Sequence, residues 1–238
     1  MCPKCGVDCN EGDLEAQEAS IFTLPPVAKQ VHNRESAWIP AYYYRNNNSS
    51  KLMLYFKGNA EDLALAESQM LTIANAINVS VLGVEYPGYG LYRDNGSASE
   101  EKIKEDAEYV YKFCLFNMGI EERDIIVFGR SIGSGPACFL AGNFHPLAVC
   151  LMSPFKSIKA VAEDKVGIFK CLVAERFKNL YEIGRAKCAT FILHGQLDKV
   201  IPFHHSEELY DEASGRPKTF IGRPYMTHDH FNMHYDLL

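Results

Sequence analysis

From residue 51 onward, short apolar runs alternate with longer segments in which apolar residues return every three or four positions. The run 51–56 (Lys-Leu-Met-Leu-Tyr-Phe) leads into Gly58 and reads as a strand, and 61–77 then sets Leu63, Met70, Ile73 and Ile77 on one helical face. Residues 79–85 form the next apolar run, closed by Pro87-Gly-Tyr-Gly90. The segment 99–116 repeats the helical pattern through Ile103, Ala107, Val110 and Cys114. Further strands are expected at 124–128, 147–152, 190–193 and 218–221. Helices are expected at 132–142 and 205–213, with a largely helical connection over 155–182. The strands are apolar throughout rather than alternating, which is the pattern of a mostly parallel central sheet with helices on both faces.

Residues 1–50 read differently. They are acidic and loop-rich, contain Pro25-Pro26, and suggest a hairpin formed by 38–44 and 46–50. No repeat, linker or low-complexity segment interrupts the alternation of strands and helices after residue 50. The expected organisation is an amino-terminal extension with a first hairpin over 1–50, then one α/β core over 51–238.

Composition narrows the function classes. The 238 residues carry 24 Lys and Arg against 30 Asp and Glu, a net charge of −6, with 47% hydrophobic and 23% charged side chains. Such a chain is globular, and its acidic balance gives no electrostatic reason to bind nucleic acid. No run of about 18 apolar residues predicts a membrane span. The first nine residues lack the apolar core of a secretory signal, and Glu11, Asp13, Glu15 and Glu18 come directly after them. Cys114, Cys138, Cys150, Cys171 and Cys188 fall in apolar segments, as expected of reduced, buried thiols in a cytoplasmic protein.

Candidate chemistry begins at Gly129-Arg-Ser131-Ile-Gly133, a G-x-S-x-G sequence set between a strand and a helix rich in small residues. A serine on such a turn is held in a strained conformation that exposes its Oγ, and the glycines avoid collisions with the adjoining strand and helix. The hydroxyl needs a base, and the base an orienting carboxylate. In α/β-hydrolases these come in the order Ser, Asp or Glu, His. Asp198 comes after the strand 190–193 and His228 after the strand 218–221, so both lie at the sheet edge that presents Ser131. His230 competes with His228, and His234 is a third candidate. His194 reads as structural; His204 and His205 read as surface or helix-cap residues. For the oxyanion, the backbone amides expected are that of Ile132 and one in the turn after 51–56, Asn59 first and Ala60 next. The expected fold is therefore an α/β-hydrolase fold with no large cap domain.

The motifs Gly58-Asn-Ala-Glu-Asp62, Tyr86-Pro-Gly-Tyr-Gly90, Gly129-Arg-Ser-Ile-Gly-Ser-Gly-Pro-Ala137, Ser153-Pro-Phe155, His194-Gly-x-x-Asp198 and Met226-Thr-His228 stand in one family order. Across roughly residues 20–235 the chain resembles the α/β-hydrolase-domain 17 subfamily, serine thioesterases that remove palmitate from membrane-associated proteins. That resemblance implies Ser131 as nucleophile, Asp198 as acid, His228 rather than His230 as base, and no cofactor. Three positions depart from the family pattern. Lys57 stands where the family usually has His, Asp229 where it commonly has Asn, and only ten residues come after His228, which predicts a clipped last helix.

The resemblance also implies acylation of Cys2, Cys5 and Cys9, ahead of the family-like Leu24-Pro-Pro26. Two other readings stand beside it. Cys2-x-x-Cys5-Gly-x-x-Cys9 has metal-ligand spacing but no fourth ligand nearby, and the tail could instead dock on a protein assembly. The sequence thus predicts a serine hydrolase of acyl thioesters or esters acting on an acylated protein or lipid. Residues Phe155, Ile168, Phe169, Leu172, Val173, Phe177 and Leu180 form either an acyl-chain wall or plain core. The alternative is a hydrolase fold reused as a structural subunit. A protein with this charge would reach a membrane through its cysteines or a partner.

Overall fold

The computed structural model describes residues 19–24, 39–93, 98–166, 173–232 and 235–236. Among these described residues eight strands form one sheet: β1 (Ala19–Leu24), β2 (Ile39–Tyr44), β3 (Leu52–Phe56), β4 (Ser80–Val84), β5 (Ile125–Arg130), β6 (Ala148–Met152), β7 (Ala189–Gly195) and β8 (Lys218–Arg223). Their order is β1-β2-β4-β3-β5-β6-β7-β8. The first two strands run antiparallel to their neighbours, and every pairing from β4 through β8 is parallel. Six described helices accompany the sheet: α1 (Leu63–Ile77), α2 (Glu100–Phe116), α3 (Ser134–Asn143), α4 (Ile158–Val166), α5 (Asn179–Arg185) and α6 (His204–Glu212).

Alternation along β3 shows the two faces. Leu52, Leu54 and Phe56 join a core with residues of α2, α3, α5 and α6, whereas Met53 and Tyr55 join α1 through Leu63, Ala66, Met70, Ile73 and Ala74. Every residue of β3 and β4 is buried, which explains their unbroken apolar runs. The helices start where side chains satisfy free amides. Asp62 caps α1 by accepting from the Leu65 amide, and Ser99 caps α2 by accepting from Lys102. Among the described residues no large cap domain interrupts the β6–β7 connection. It holds α4, an irregular stretch over 173–178, and α5.

The expected hairpin is paired differently. Strand β2 takes Ala19–Leu24 as its partner, not 46–50, and its other edge joins β4. Ile39 and Ala41 are buried in the main core, so residues on the amino-terminal side of position 50 supply two strands to the central sheet. Cys2, Cys5, Cys9, Cys171 and His234 lie outside the described residues. Of the other four core cysteines, Cys114, Cys138 and Cys188 are buried and Cys150 is half-buried, all as free thiols. No described helix is long and apolar enough to cross a membrane.

Candidate active site

Ser131 comes directly after β5 with φ at 51°, in the left-handed region that strains any residue with a side chain. Its glycine neighbours are enforced by contact. A Cβ on Gly129 would lie 2.4 Å from the Gly133 carbonyl oxygen, and one on Gly133 would lie 2.2 Å from that of Phe56. The elbow is therefore pressed between α3 and the end of β3, with no room for a methyl group. Beneath it, Ser134 Oγ donates to the Ser131 carbonyl (2.7 Å) and Asn179 Nδ2 donates to Ser134 Oγ (3.1 Å).

Loops after β7 and β8 bring the other two candidates to this point. His228 Nε2 lies 3.0 Å from Ser131 Oγ, and His228 Nδ1 lies 2.7 Å from Asp198 Oδ2; all three residues are buried. Beside an ionised carboxylate the Nδ1 nitrogen carries the proton, which leaves Nε2 to accept from the serine hydroxyl. Asp198 Oδ1 accepts from the Val200 and Ile201 amides, each at 2.8 Å, and Oδ2 lies 3.2 Å from His194 Nε2. Burial pushes the Asp198 carboxyl up, but the bonds from His194, His228 and the Ile201 amide outweigh it and hold the group well below the usual carboxylate range.

The remaining histidines separate clearly. His230 is exposed and contacts Thr227, away from Ser131. His194 is fully buried, with Nδ1 2.6 Å from Ser206 Oγ and Nε2 3.0 Å from the Ile201 carbonyl. It is structural as expected, yet it also braces the acid. His205 is not a surface or cap residue. Its ring is fully buried, Nδ1 accepting from the Lys156 amide and Nε2 facing Asp164 at 2.6 Å. Asp164, His204 and His205 are the one described group whose donor atoms cluster as metal ligands do. Because His205 Nδ1 accepts a backbone hydrogen bond, its Nε2 carries the proton and is closed to a metal ion.

The turn after β3, expected to hold the oxyanion, is braced by Lys57, Glu61, Tyr86 and Tyr89, whose contacts with one another local sequence does not contain. Lys57 is fully buried. Its Nζ donates to the Glu61 carbonyl (2.6 Å), pairs with Glu85 Oε1 (3.0 Å), and sits over the rings of Tyr86 and Tyr89. Burial pushes this ammonium below the ordinary lysine value, against the pull of Glu85. Tyr86 donates to the Lys57 carbonyl and Tyr89 to Asn59 Oδ1. The Gly58 amide donates to Glu61 Oε1, which also receives Arg130 Nη1. Ala60 takes φ 60° within this turn, and Ile132 is the residue directly after the serine.

The apolar residues of the β6–β7 connection divide. Phe155 and Phe177 are core, in edge-to-face contact at 6.4 Å, and Leu180 packs on the same cluster. Val173 is half-buried, whereas Ile168, Phe169 and Leu172 lie outside the described residues.

A mostly parallel sheet in this order, with a strained serine elbow and an acid and a histidine delivered by the next strand ends, defines an α/β hydrolase fold. Solved structures agree. An α/β hydrolase from Vibrio vulnificus superposes with a TM-score of 0.68 at 20% identity, covering 89% of this chain and 75% of that one. The esterase Pf2001 of Pyrococcus furiosus gives 0.67 at 14%, covering 89% and 82%. Among sequences, the α/β hydrolase domain-containing protein 17C of Xenopus laevis is 31% identical over 217 residues, 85% of this chain and 68% of the relative. The chain belongs to the α/β-hydrolase domain-containing protein 17 family. The putative α/β hydrolase L404 of Acanthamoeba polyphaga mimivirus is 27% identical over 88% of this chain and 91% of the relative. Human protein 17B is 30% identical over 70% of this chain, which spans about half of that relative's length (56%). No family model matches.

Proposed function

We propose that the protein is a serine hydrolase of acyl thioesters or esters, with S-palmitoylated protein as its leading substrate class. The observation that carries this reading is the hydrogen-bonded chain from Ser131 Oγ through His228 to Asp198, mounted on a left-handed serine. Membership of an α/β-hydrolase family supports the chemistry, and the substrate class is what the resemblance of the sequence motifs implies.

Ser131 Oγ attacks the acyl carbonyl carbon as its proton passes to His228 Nε2. Asp198, kept ionised, holds the Nδ1–H tautomer and stabilises the imidazolium that forms. The carbonyl oxygen, now carrying the negative charge, is taken by the Asn59 and Ile132 amides. Collapse of the tetrahedral adduct breaks the bond to the leaving sulfur or oxygen, which receives the proton from His228. Water, deprotonated by the same imidazole, then releases the fatty acid and restores Ser131. The enclosed Lys57 acts as a brace for the oxyanion turn, a role compatible with catalysis in place of the family's histidine.

The test is thiol release from an S-palmitoyl peptide, read with a thiol reagent and compared with the matching N-palmitoyl amide. Wild type should turn over the thioester and leave the amide, with Ser131→Ala reduced to the uncatalysed rate. Equal rates for wild type and Ser131→Ala would remove this reading.

A further inference from the structure

Arg130 occupies the variable position of the G-x-S motif, and nothing about that position in the sequence assigns it a task. Its side chain is nonetheless buried, only 9% exposed, immediately before the serine. One guanidinium nitrogen, Nη1, donates to Glu61 Oε1 at 3.1 Å. The other, Nη2, donates to the backbone carbonyl of His228 at 3.1 Å and to Asp229 Oδ1 at 3.2 Å. Cζ lies 5.3 Å from the centre of the Phe231 ring, so the cation also rests against the loop that carries His228.

The two ends of this fork meet different parts of the site. Glu61 Oε1 is the acceptor for the Gly58 amide, at the start of the turn assigned to the oxyanion. The His228 carbonyl belongs to the residue whose ring meets Ser131. These partners lie 69 and 98 residues away along the chain, and no backbone ladder joins the two loops. The fit is close as well. A Cβ on Gly58 would come within 2.8 Å of Arg130 Nη1, so the glycine is matched to the guanidinium above it. A planar fork holds its two acceptors in fixed, diverging directions, whereas an ammonium is a point charge on a flexible stem.

We propose that Arg130 is a positioning residue that holds the His228 loop and the oxyanion turn in one register against Ser131. It touches neither substrate nor the reacting atoms. The inference rests on the serine-hydrolase reading for its kinetic consequence and on geometry alone for its structural one. A misplacement of about 1 Å in such a site costs about 100-fold in rate, which sets the size of the effect.

The experiment uses the full chain as wild type, Arg130→Ala and Arg130→Lys, each checked for folding by circular dichroism. One readout needs no catalysis: the low-field proton resonance of His228 Nδ1–H, assigned by its loss in His228→Gln. The other is the rate at which a fluorophosphonate modifies Ser131. In Arg130→Ala the low-field resonance should be lost and phosphonylation slowed by about 100-fold, with millimolar guanidinium restoring both. Arg130→Lys should recover only part of either, and it stands in for the alanine variant if that one does not fold. A folded variant with the wild-type resonance and a rate within twofold of wild type would overturn the inference. Slowing that guanidinium leaves unchanged, with the resonance intact, would overturn it too. If wild type shows the resonance but never reacts, the hydrolase reading fails, and loss of the resonance in Arg130→Ala still upholds the positioning role.

Discussion

Asp198 accepts from two amides on one oxygen and faces two imidazoles with the other, so its charge is the centre of the local hydrogen-bond pattern. In Asp198→Asn one of these positions becomes an N–H that meets another N–H, and His228 is driven toward the wrong tautomer. The expected loss in kcat is about 10³–10⁴-fold with little change in KM, measured on the thioester. The same variant has a pH signature. A carboxyl whose folded value lies below its unfolded value of about 3.9 stabilises the fold above that pH, and the contribution is lost as pH falls below it. Urea midpoints of wild type should therefore drop more steeply below about pH 4 than those of Asp198→Asn. Ser131, Asp198 and His228 were legible in the sequence because each comes after a strand that is itself easy to read. Lys57 stood out as a departure from the family pattern, but its contacts, like those of Arg130 and Glu61, were not legible, since each matters only through partners the fold delivers from elsewhere. His205 misled because two adjacent histidines at a helix start look exposed until α4 covers one of them.

The elbow between β5 and α3 is the element on which the site depends, and its glycines differ in kind from a glycine in an open turn such as Gly119. Gly133→Ala would place its methyl against the Phe56 carbonyl, a backbone atom that cannot swing aside, and is expected to cost about 3 kcal/mol or more. Gly119 is the reverse case: its φ is positive, at 69°, whereas that of Gly133 is −63°, and its Cβ would meet nothing within 4 Å, so Gly119→Ala is expected to cost only about 1 kcal/mol of backbone strain. Urea unfolding of the two variants measures both values. Equal losses would show that contact with the Phe56 carbonyl does not limit the elbow. Buried on both faces, β3 to β6 announced themselves as continuous apolar runs. The hairpin did not, because its strands are separated by residues 25–38 and no two-residue turn marks the connection. Pairing across such an interval is set by the sheet edge that β4 offers to β2, which local sequence does not contain.

Across the whole molecule, parallel strands ending on one edge bring residues 57–62, 131, 198 and 228 together from four separate connections. That convergence arises from topology, which is why an ordered succession of strand and helix patterns was enough to anticipate the site before any distance was known. What topology does not supply is the tie between loops, and two buried cations supply it here: Lys57 within the oxyanion turn, and Arg130 from the elbow to the loops on either side. The serine chemistry is tested most directly by intact-mass and peptide-mapping spectrometry after treatment with a fluorophosphonate. A single adduct mapped to Ser131, absent in Ser131→Ala and strongly slowed in His228→Gln, is the predicted result. A folded wild-type protein that gains no adduct, or gains it equally without Ser131, would contradict the assignment of this site as a serine hydrolase centre.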